Sequence, residues 1–269
     1  MPSHDYYPTL PDNASENTKV QHFPNWNYTV LAVGANVPGV RQQMEQEQGR
    51  RERHTITRDS PINNGVYEGS YGGEAIVVDY DEDPELIDEA VDSVLQASTT
   101  TAGKLDKNLV LDATLSYVLS HMRYDADAVD KLFEEELGGV RGRKVSLGRY
   151  IDDDEGGFGV CRHQALFAGI ILEQMAERGI LGGRASVERN TIRRGADGKD
   201  DGHSWARYTN SVGDVFILDA AQQQRVLSLE EAMELNRQNP DVNWDYARPE
   251  DKQKIMGQQA VHGANMYSQ

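Results

Sequence analysis

Cysteine is nearly absent from this sequence: Cys161 is the only cysteine in 269 residues. A single thiol excludes an internal disulfide, and it also excludes the C-x-x-C motif of many metal sites. A reducing compartment is compatible with this composition. Any thiol chemistry must therefore be carried out by Cys161 alone.

Long apolar runs and basic residues are also scarce. No stretch approaches the roughly 20 apolar residues of a membrane helix, and MPSHDYYPTL (1–10) lacks the basic and apolar regions of a secretory signal. The 27 basic and 44 acidic side chains give a formal net charge of -17, which disfavours nucleic acid and anionic lipid as partners. We expect a cytoplasmic protein with neither partner; its oligomeric state and delivery by a signal-independent secretion route stay open.

The distribution of apolar residues divides the chain into three parts. Residues 1–73 are rich in Asn, Gln, Gly, Pro and charged residues with little periodicity, which predicts a poorly packed N-terminal arm. Residues 74–240 carry periodic apolar patterns and are predicted to form the main folded domain. Residues 241–269 are predicted to be a C-terminal helix and tail.

The first half of the predicted domain has one strand and several helices. A β-branched run at 74–80 predicts the strand, and a helix follows that begins at Pro84. Apolar residues at helical spacing predict two more helices, at 107–122 and 126–137. Residues 140–160, basic first and then acidic, are predicted to form an ordered functional loop.

The stretch FGVCRHQALFAGIILEQ (158–174) predicts a buried helix that begins at Cys161. Its ALFAGIIL segment is apolar on every side, as in a helix surrounded by protein. Short strand patterns follow at 184–192, 203–209 and 215–221. The sequence thus predicts an α+β fold in which the buried helix packs on an antiparallel sheet.

Cys161 has two interpretations. Lone cysteines are most often buried and act as small hydrophobes. At a helix start, however, backbone N–H groups and the helix dipole stabilise a thiolate. An unperturbed thiol, with a pKa of about 8.5, is only slightly ionised at neutral pH, so a nucleophile needs a base as well.

His203 is the strongest candidate for that base among the seven histidines. It opens a predicted strand, and Trp205 is placed to shield the imidazole from water; a solvent-bonded histidine at a strand end is the alternative. His163 is expected to point away from Cys161, because it lies two residues along the helix. Asp219 ends the apolar strand VFILD, where an unpaired carboxylate is unfavourable.

The hairpin between the last two strands decides whether these groups meet. A loop of odd length centred near Ser211 or Val212 places His203 and Asp219 opposite or one diagonal apart, with Cβ atoms roughly 5 to 8 Å from each other. A two-residue turn would place them on opposite faces. If they meet, Cys161 attacks, His203 transfers the proton, and Asp219 orients His203.

Three motifs in this order resemble the transglutaminase-like superfamily of papain-like thiol enzymes. They are G-x-C at a helix start (159–161), H-x-W on a strand (203–205) and L-D at a strand end (218–219). The resemblance covers roughly residues 107–222. It implies a papain-like, transglutaminase-like core, acyl transfer through a thioester to water or an amine, and an oxyanion hole that includes the Cys161 N–H; no second donor is matched.

We therefore expect a Cys-His-Asp enzyme that acts on an amide bond of a protein or peptide, by proteolysis or glutamine deamidation. Protein-glutamine transglutaminase activity and a catalytically inactive protein-binding module are the alternatives. The net charge and the acidic run DDDE (152–155) favour a basic substrate. No cofactor and no metal are expected.

Overall fold

The fold is described by a computed structural model for residues 53–68, 73–151, 156–194, 199–238 and 244–255. Its helices are α1 (Pro84–Ala97), α2 (Lys107–His121), α3 (Ala126–Lys131), α4 (Gly148–Ile151), α5 (Cys161–Glu177), α6 (Leu229–Gln238) and α7 (249–255). Its strands are β1 (His54–Thr55), β2 (Gly65–Glu68), β3 (Ala75–Val78), β4 (Arg123–Tyr124), β5 (Lys144–Ser146), β6 (Phe158–Gly159), β7 (Gly183–Arg194), β8 (Lys199–Asn210), β9 (Val215–Leu218) and β10 (Leu227–Ser228). Across these ranges, no helix combines the length and the apolar character that crossing a membrane requires.

The strands form two four-stranded sheets and a short parallel pair. One sheet is antiparallel throughout, with strand order β10-β9-β8-β7. The other is mixed, with order β1-β2-β3-β5 and one antiparallel pairing, between β2 and β3. The parallel pair of β4 and β6 lies directly before α5, so the chain enters α5 from a fixed strand.

Helix α5 is the centre of the molecule, as its all-round apolar sequence predicts. Every residue from His163 to Met175 is buried. The helix packs on β7 and β8 of the antiparallel sheet and on α1 and α2. It ends where Gly179 adopts a left-handed conformation, with φ of 70°. The predicted α+β class and the buried helix on an antiparallel sheet are confirmed.

The segment 53–68 differs from the poorly packed arm expected up to residue 73. Ile56, Ile62 and Tyr67 are each no more than 1% exposed and belong to the main core. The Glu173 carboxylate on α5 also accepts hydrogen bonds from the backbone N–H groups of Ile62 and Asn63. These residues are part of the domain; residues 1–52 and 69–72 of the predicted arm lie outside the described ranges.

Two other stretches differ in detail from the predicted elements. The predicted loop 140–160 contains β5, α4 and β6, while its acidic run 152–155 lies outside the described residues. The predicted helix at 126–137 begins as α3 and continues as a π-helical turn at Leu132–Glu136.

The C-terminal segment 244–251 packs on the domain and is not a separate tail. Trp244 and Tyr246 are each 2% exposed, and they share a second apolar cluster with Trp205, Ile217 and Leu227 of the antiparallel sheet. The antiparallel sheet is thus covered on both faces, by α5 on one and by α6 and this segment on the other.

Candidate active site

Cys161 is the first residue of α5, and its side chain is partly exposed. The start of the helix is held by His163, whose Nδ1 accepts a hydrogen bond of 3.1 Å from the Val160 N–H. The strand that leads into the helix is preceded by Gly157. A larger residue does not fit at this position, because a Cβ there would collide with the carbonyl oxygens of His121 and Tyr150. The glycines before Cys161 thus allow close backbone packing and place the thiol at the mouth of the helix.

The β8–β9 hairpin has the odd-length loop that the sequence predicts as one of two possibilities. Ala206 pairs with Leu218, and Thr209 pairs with Val215, so the loop is centred on Val212. Gly213, with φ of 91°, closes the loop, as expected for a three-residue connection with a glycine near its end. His203 and Asp219 therefore lie one diagonal apart on the same face of the sheet.

His203 and Asp219 form a buried pair. The Nε2 atom of His203 lies 2.6 Å from Oδ2 of Asp219, and the two residues are 4% and 1% exposed. Because Asp219 occupies Nε2, Nδ1 is the ring nitrogen left to bond the thiol of Cys161. The His203 side chain and the backbone N–H of Ser204 both act on that thiol and lower its pKa.

The pKa of the Cys161 thiol is lowered, and the pKa of the His203 imidazole is raised. Burial raises the pKa of the Cys161 thiol, but the hydrogen bond and charge of His203, the Ser204 N–H and the Arg162 cation lower it by more. Burial lowers the pKa of His203, whereas Asp219 and the Cys161 thiolate raise it to about 9. Both shifts favour a thiolate–imidazolium ion pair near neutral pH.

Trp244 is the tryptophan that covers the imidazole. Its ring stacks on His203, with centroids 4.8 Å apart and planes at 26°. Trp205, the residue expected in that role, is 5.9 Å away by the same measure and tilted by 34°. Aromatic residues in the polar stretch NWDYARP (243–249) are the only sequence signal for this contact.

A second buried cluster lies directly behind the thiol. The carboxylate of Glu74, 1% exposed, lies 2.7 Å from Arg162 Nη2 and 3.0 Å from His163 Nε2. The Tyr150 ring contacts the His163 ring, with centroids 4.0 Å apart. His163 thus points away from Cys161, as predicted, and the Arg162 charge is held beside the thiol by Glu74.

Tyr67 reaches the other side of the site from β2. Its hydroxyl lies 2.8 Å from Oγ of Ser204, the residue whose N–H helps to lower the pKa of the thiol. Neither Tyr67 nor Glu74 is identifiable as a site residue from the sequence, since Tyr67 lies on the short strand β2 and Glu74 directly precedes β3, both far from the motifs. Among the described residues, no group of three or more His, Cys, Asp or Glu side chains is arranged to hold a metal ion.

Comparison with known proteins gives little further information. No protein-family model and no curated protein matches the chain. A solved structure described as "Crystal structure of a TGase" is similar over 52% of this chain and 32% of its own, with 18% identity and a TM-score of 0.28. The match thus spans about a third of that protein's length. At this score and identity it assigns neither a fold family nor an activity.

Proposed function

We propose that the chain is a Cys-His-Asp thiol enzyme of the transglutaminase-like kind, acting on an amide bond of a protein or peptide through a thioester. The observation that carries the proposal is the buried 2.6 Å contact between His203 Nε2 and Asp219 Oδ2, combined with the lowering of the Cys161 pKa by His203. A core thiol would not require a buried imidazole and carboxylate aligned on it.

The reaction follows from the charges of the three groups. The Cys161 thiolate attacks the carbonyl carbon, and the carbonyl electron pair moves onto oxygen, where the Cys161 N–H at the start of α5 is placed to stabilise it. The His203 imidazolium then gives its proton to the leaving nitrogen, so that the C–N bond breaks and a thioester remains. Asp219 keeps the ring oriented through both steps.

The acceptor of the acyl group defines the product. With water as acceptor, His203 takes a proton from the attacking water and the thioester is hydrolysed. A main-chain amide substrate makes this proteolysis, and a glutamine side chain makes it deamidation. With an amine as acceptor the same thioester gives transamidation. We propose hydrolysis, with a basic substrate favoured by the net charge of -17.

The test of the thiol is its alkylation by iodoacetamide as a function of pH. We expect a first rise below the ordinary thiol pKa, when the ion pair forms, and a second near pH 9, when His203 with its pKa of about 9 loses its proton. His203→Ala should show one rise near pH 8.5, the approximate pKa of an unperturbed thiol. His121→Ala, an exposed histidine at the end of α2, is the matched control and should keep both steps.

A single rise near pH 8.5 in the unsubstituted chain would contradict the proposal and favour the inactive protein-binding module. If the two steps are found, mass spectrometry of candidate substrates separates the products. Chain cleavage indicates a protease, conversion of glutamine to glutamate a deamidase, and an amine adduct a transglutaminase.

A further inference from the structure

A tyrosine from the C-terminal segment contacts the same carboxylate oxygen as the histidine. The Tyr246 hydroxyl donates a hydrogen bond of 2.7 Å to Oδ2 of Asp219, the atom that lies 2.6 Å from His203 Nε2. The other oxygen of Asp219 accepts a 3.2 Å bond from the Gln222 N–H. Tyr246 is 2% exposed, so water is not a ready substitute for its hydroxyl.

Several contacts hold Tyr246 against the antiparallel sheet. Its ring meets Trp205 edge to face, with centroids 4.9 Å apart. The neighbouring carbonyl of Asp245 accepts a buried 2.9 Å bond from Asn190 Nδ2. Further on, Asp251 forms a two-pronged ion pair with Arg207 of β8, at 2.7 and 2.9 Å. The hydroxyl is thus fixed by the same sheet that carries His203.

We propose that Tyr246 is a positioning residue, which fixes the Asp219 carboxylate against His203 and so sustains the reactive pair at Cys161. This inference rests on the proposed function, and it makes residues 244–251 part of the catalytic unit. Tyr246 lies 85 residues after the nucleophile in sequence, outside all three motifs.

The Asp219 carboxylate that Tyr246 contacts is buried. A hydrogen bond to a charged acceptor is stronger than one between neutral groups, and loss of a donor in a buried network leaves the acceptor undersatisfied. Without the tyrosine hydroxyl, the Asp219 carboxylate is held less firmly in the position in which it accepts the hydrogen bond from His203 Nε2. The His203 imidazolium then loses part of its stabilisation. The other charges facing the pair, Arg162 and through it Glu74, are unchanged.

Tyr246→Phe removes the hydroxyl alone. We expect the first alkylation step of Cys161 to move to higher pH by about half to one unit, so that iodoacetamide reacts about three- to tenfold more slowly below that step. Tyr208→Phe is the matched control, because the Tyr208 hydroxyl donates to the Gly182 carbonyl and its loss should leave the profile unchanged. Circular dichroism checks that both variants are folded.

A double-mutant cycle tests whether Tyr246 acts through Asp219. Once Asp219→Asn is in place, adding Tyr246→Phe should produce no further shift; an equal shift in both backgrounds would overturn the inference. If Tyr246→Phe does not fold, Asn190→Ala, which loosens the segment at Asp245, carries the test and should shift the step in the same direction.

The two proposals fail in different ways. A low first step that disappears in His203→Ala but is unchanged in Tyr246→Phe would overturn the role of Tyr246 and leave the proposed function in place. A thiol without a low first step in the unsubstituted chain would instead overturn the proposed function, and the role of Tyr246 with it.

Discussion

Arg162 adds a positive charge directly beside the Cys161 thiol. Its side chain is 25% exposed, and it is held at 2.7 Å from the buried Glu74 carboxylate. Although Glu74 offsets much of this charge, Arg162 still contributes to lowering the pKa of Cys161, after the contributions of burial and His203. The site therefore stabilises the thiolate from two sides, by the imidazolium and by the guanidinium.

Replacing Arg162 by Gln should weaken the thiolate without abolishing it. We expect the first step of the iodoacetamide profile to rise by about half a pH unit, an effect smaller than that of His203→Ala, since His203 contributes more to the lowered pKa of the thiol. Arg162→Lys keeps the charge and should restore most of the profile. Arg178→Gln, at the other end of α5, is the control; a shift as large in that variant would show a general charge effect.

Some site residues are predictable from the sequence and others are not. Cys161 and Asp219 can be found because each stands at the end of a recognisable element, where an inert role is harder to explain. His203 can be found because it opens the strand pattern HSWARYT, although β8 begins earlier than predicted, at Lys199. Tyr246 and Glu74 reach the site from distant segments through contacts that no local pattern encodes. Trp205 has the right spacing for shielding His203, but the segment with Trp244 covers the ring instead.

Helix α5 connects the segment 61–64 to the site through one side chain. Glu173, on the fourth turn after Cys161, accepts N–H bonds of 2.7 Å from Ile62 and 2.7 Å from Asn63. Because these donors lie in a turn without regular pairing, the carboxylate replaces the missing backbone acceptors. Burial raises the pKa of Glu173, and the two backbone N–H bonds counteract that shift.

Replacing Glu173 by Gln should destabilise the fold and leave the thiol chemistry unaltered. The amide has one acceptor oxygen where the carboxylate uses two, and its NH₂ group would face backbone donors. We expect a loss of about 2 kcal/mol in the free energy of unfolding, measured by denaturant titration. Glu177→Gln, exposed on the same helix, should change it little. An altered alkylation profile in Glu173→Gln would contradict the purely structural role.

At the scale of secondary structure, the sequence limits the register of one hairpin but does not predict the packing of segment 53–68. The sequence is compatible with two registers of the β8–β9 hairpin. Gly213 at the end of the loop is the residue that favours the register with an odd-length loop. Segment 53–68 contains no comparable sequence pattern, because Ile56, Ile62 and Tyr67 are spaced with neither a helical nor a strand period. Their burial depends on the core around α5, which is distant in sequence.

At the scale of the whole molecule, both faces of the antiparallel sheet contribute residues to the candidate site. The α5 face supplies Cys161, and the opposite face carries His203, Asp219 and the segment that covers them. The predicted division at residue 240 therefore cuts through the site. The two faces meet only in the folded chain. The free energy of unfolding of the domain therefore depends on the protonation of its buried groups.

The buried Glu74–His163 cluster makes that coupling measurable. Burial, followed by the charge of Arg162, lowers the pKa of His163 to about 4, although Glu74 and Val160 act in the opposite direction. As pH falls below about 6.5, His163 becomes protonated in the unfolded chain but stays neutral in the folded chain. The free energy of unfolding that is present above pH 6.5 is therefore lost toward pH 4. Between pH 7 and pH 5 this loss is about 2 kcal/mol.

His163→Gln removes this titration, so its free energy of unfolding should fall less between pH 7 and pH 5 than that of the unsubstituted chain. The measurement is guanidinium unfolding at both pH values, and the quantity compared is the difference between them, because Cys161 and His203 titrate in both chains and cancel. His121→Gln reports a histidine-to-glutamine change outside the cluster. Equal pH dependence in the His163→Gln variant and the unsubstituted chain would mean that His163 is charged in the fold, and that Glu74 faces two cations instead of one.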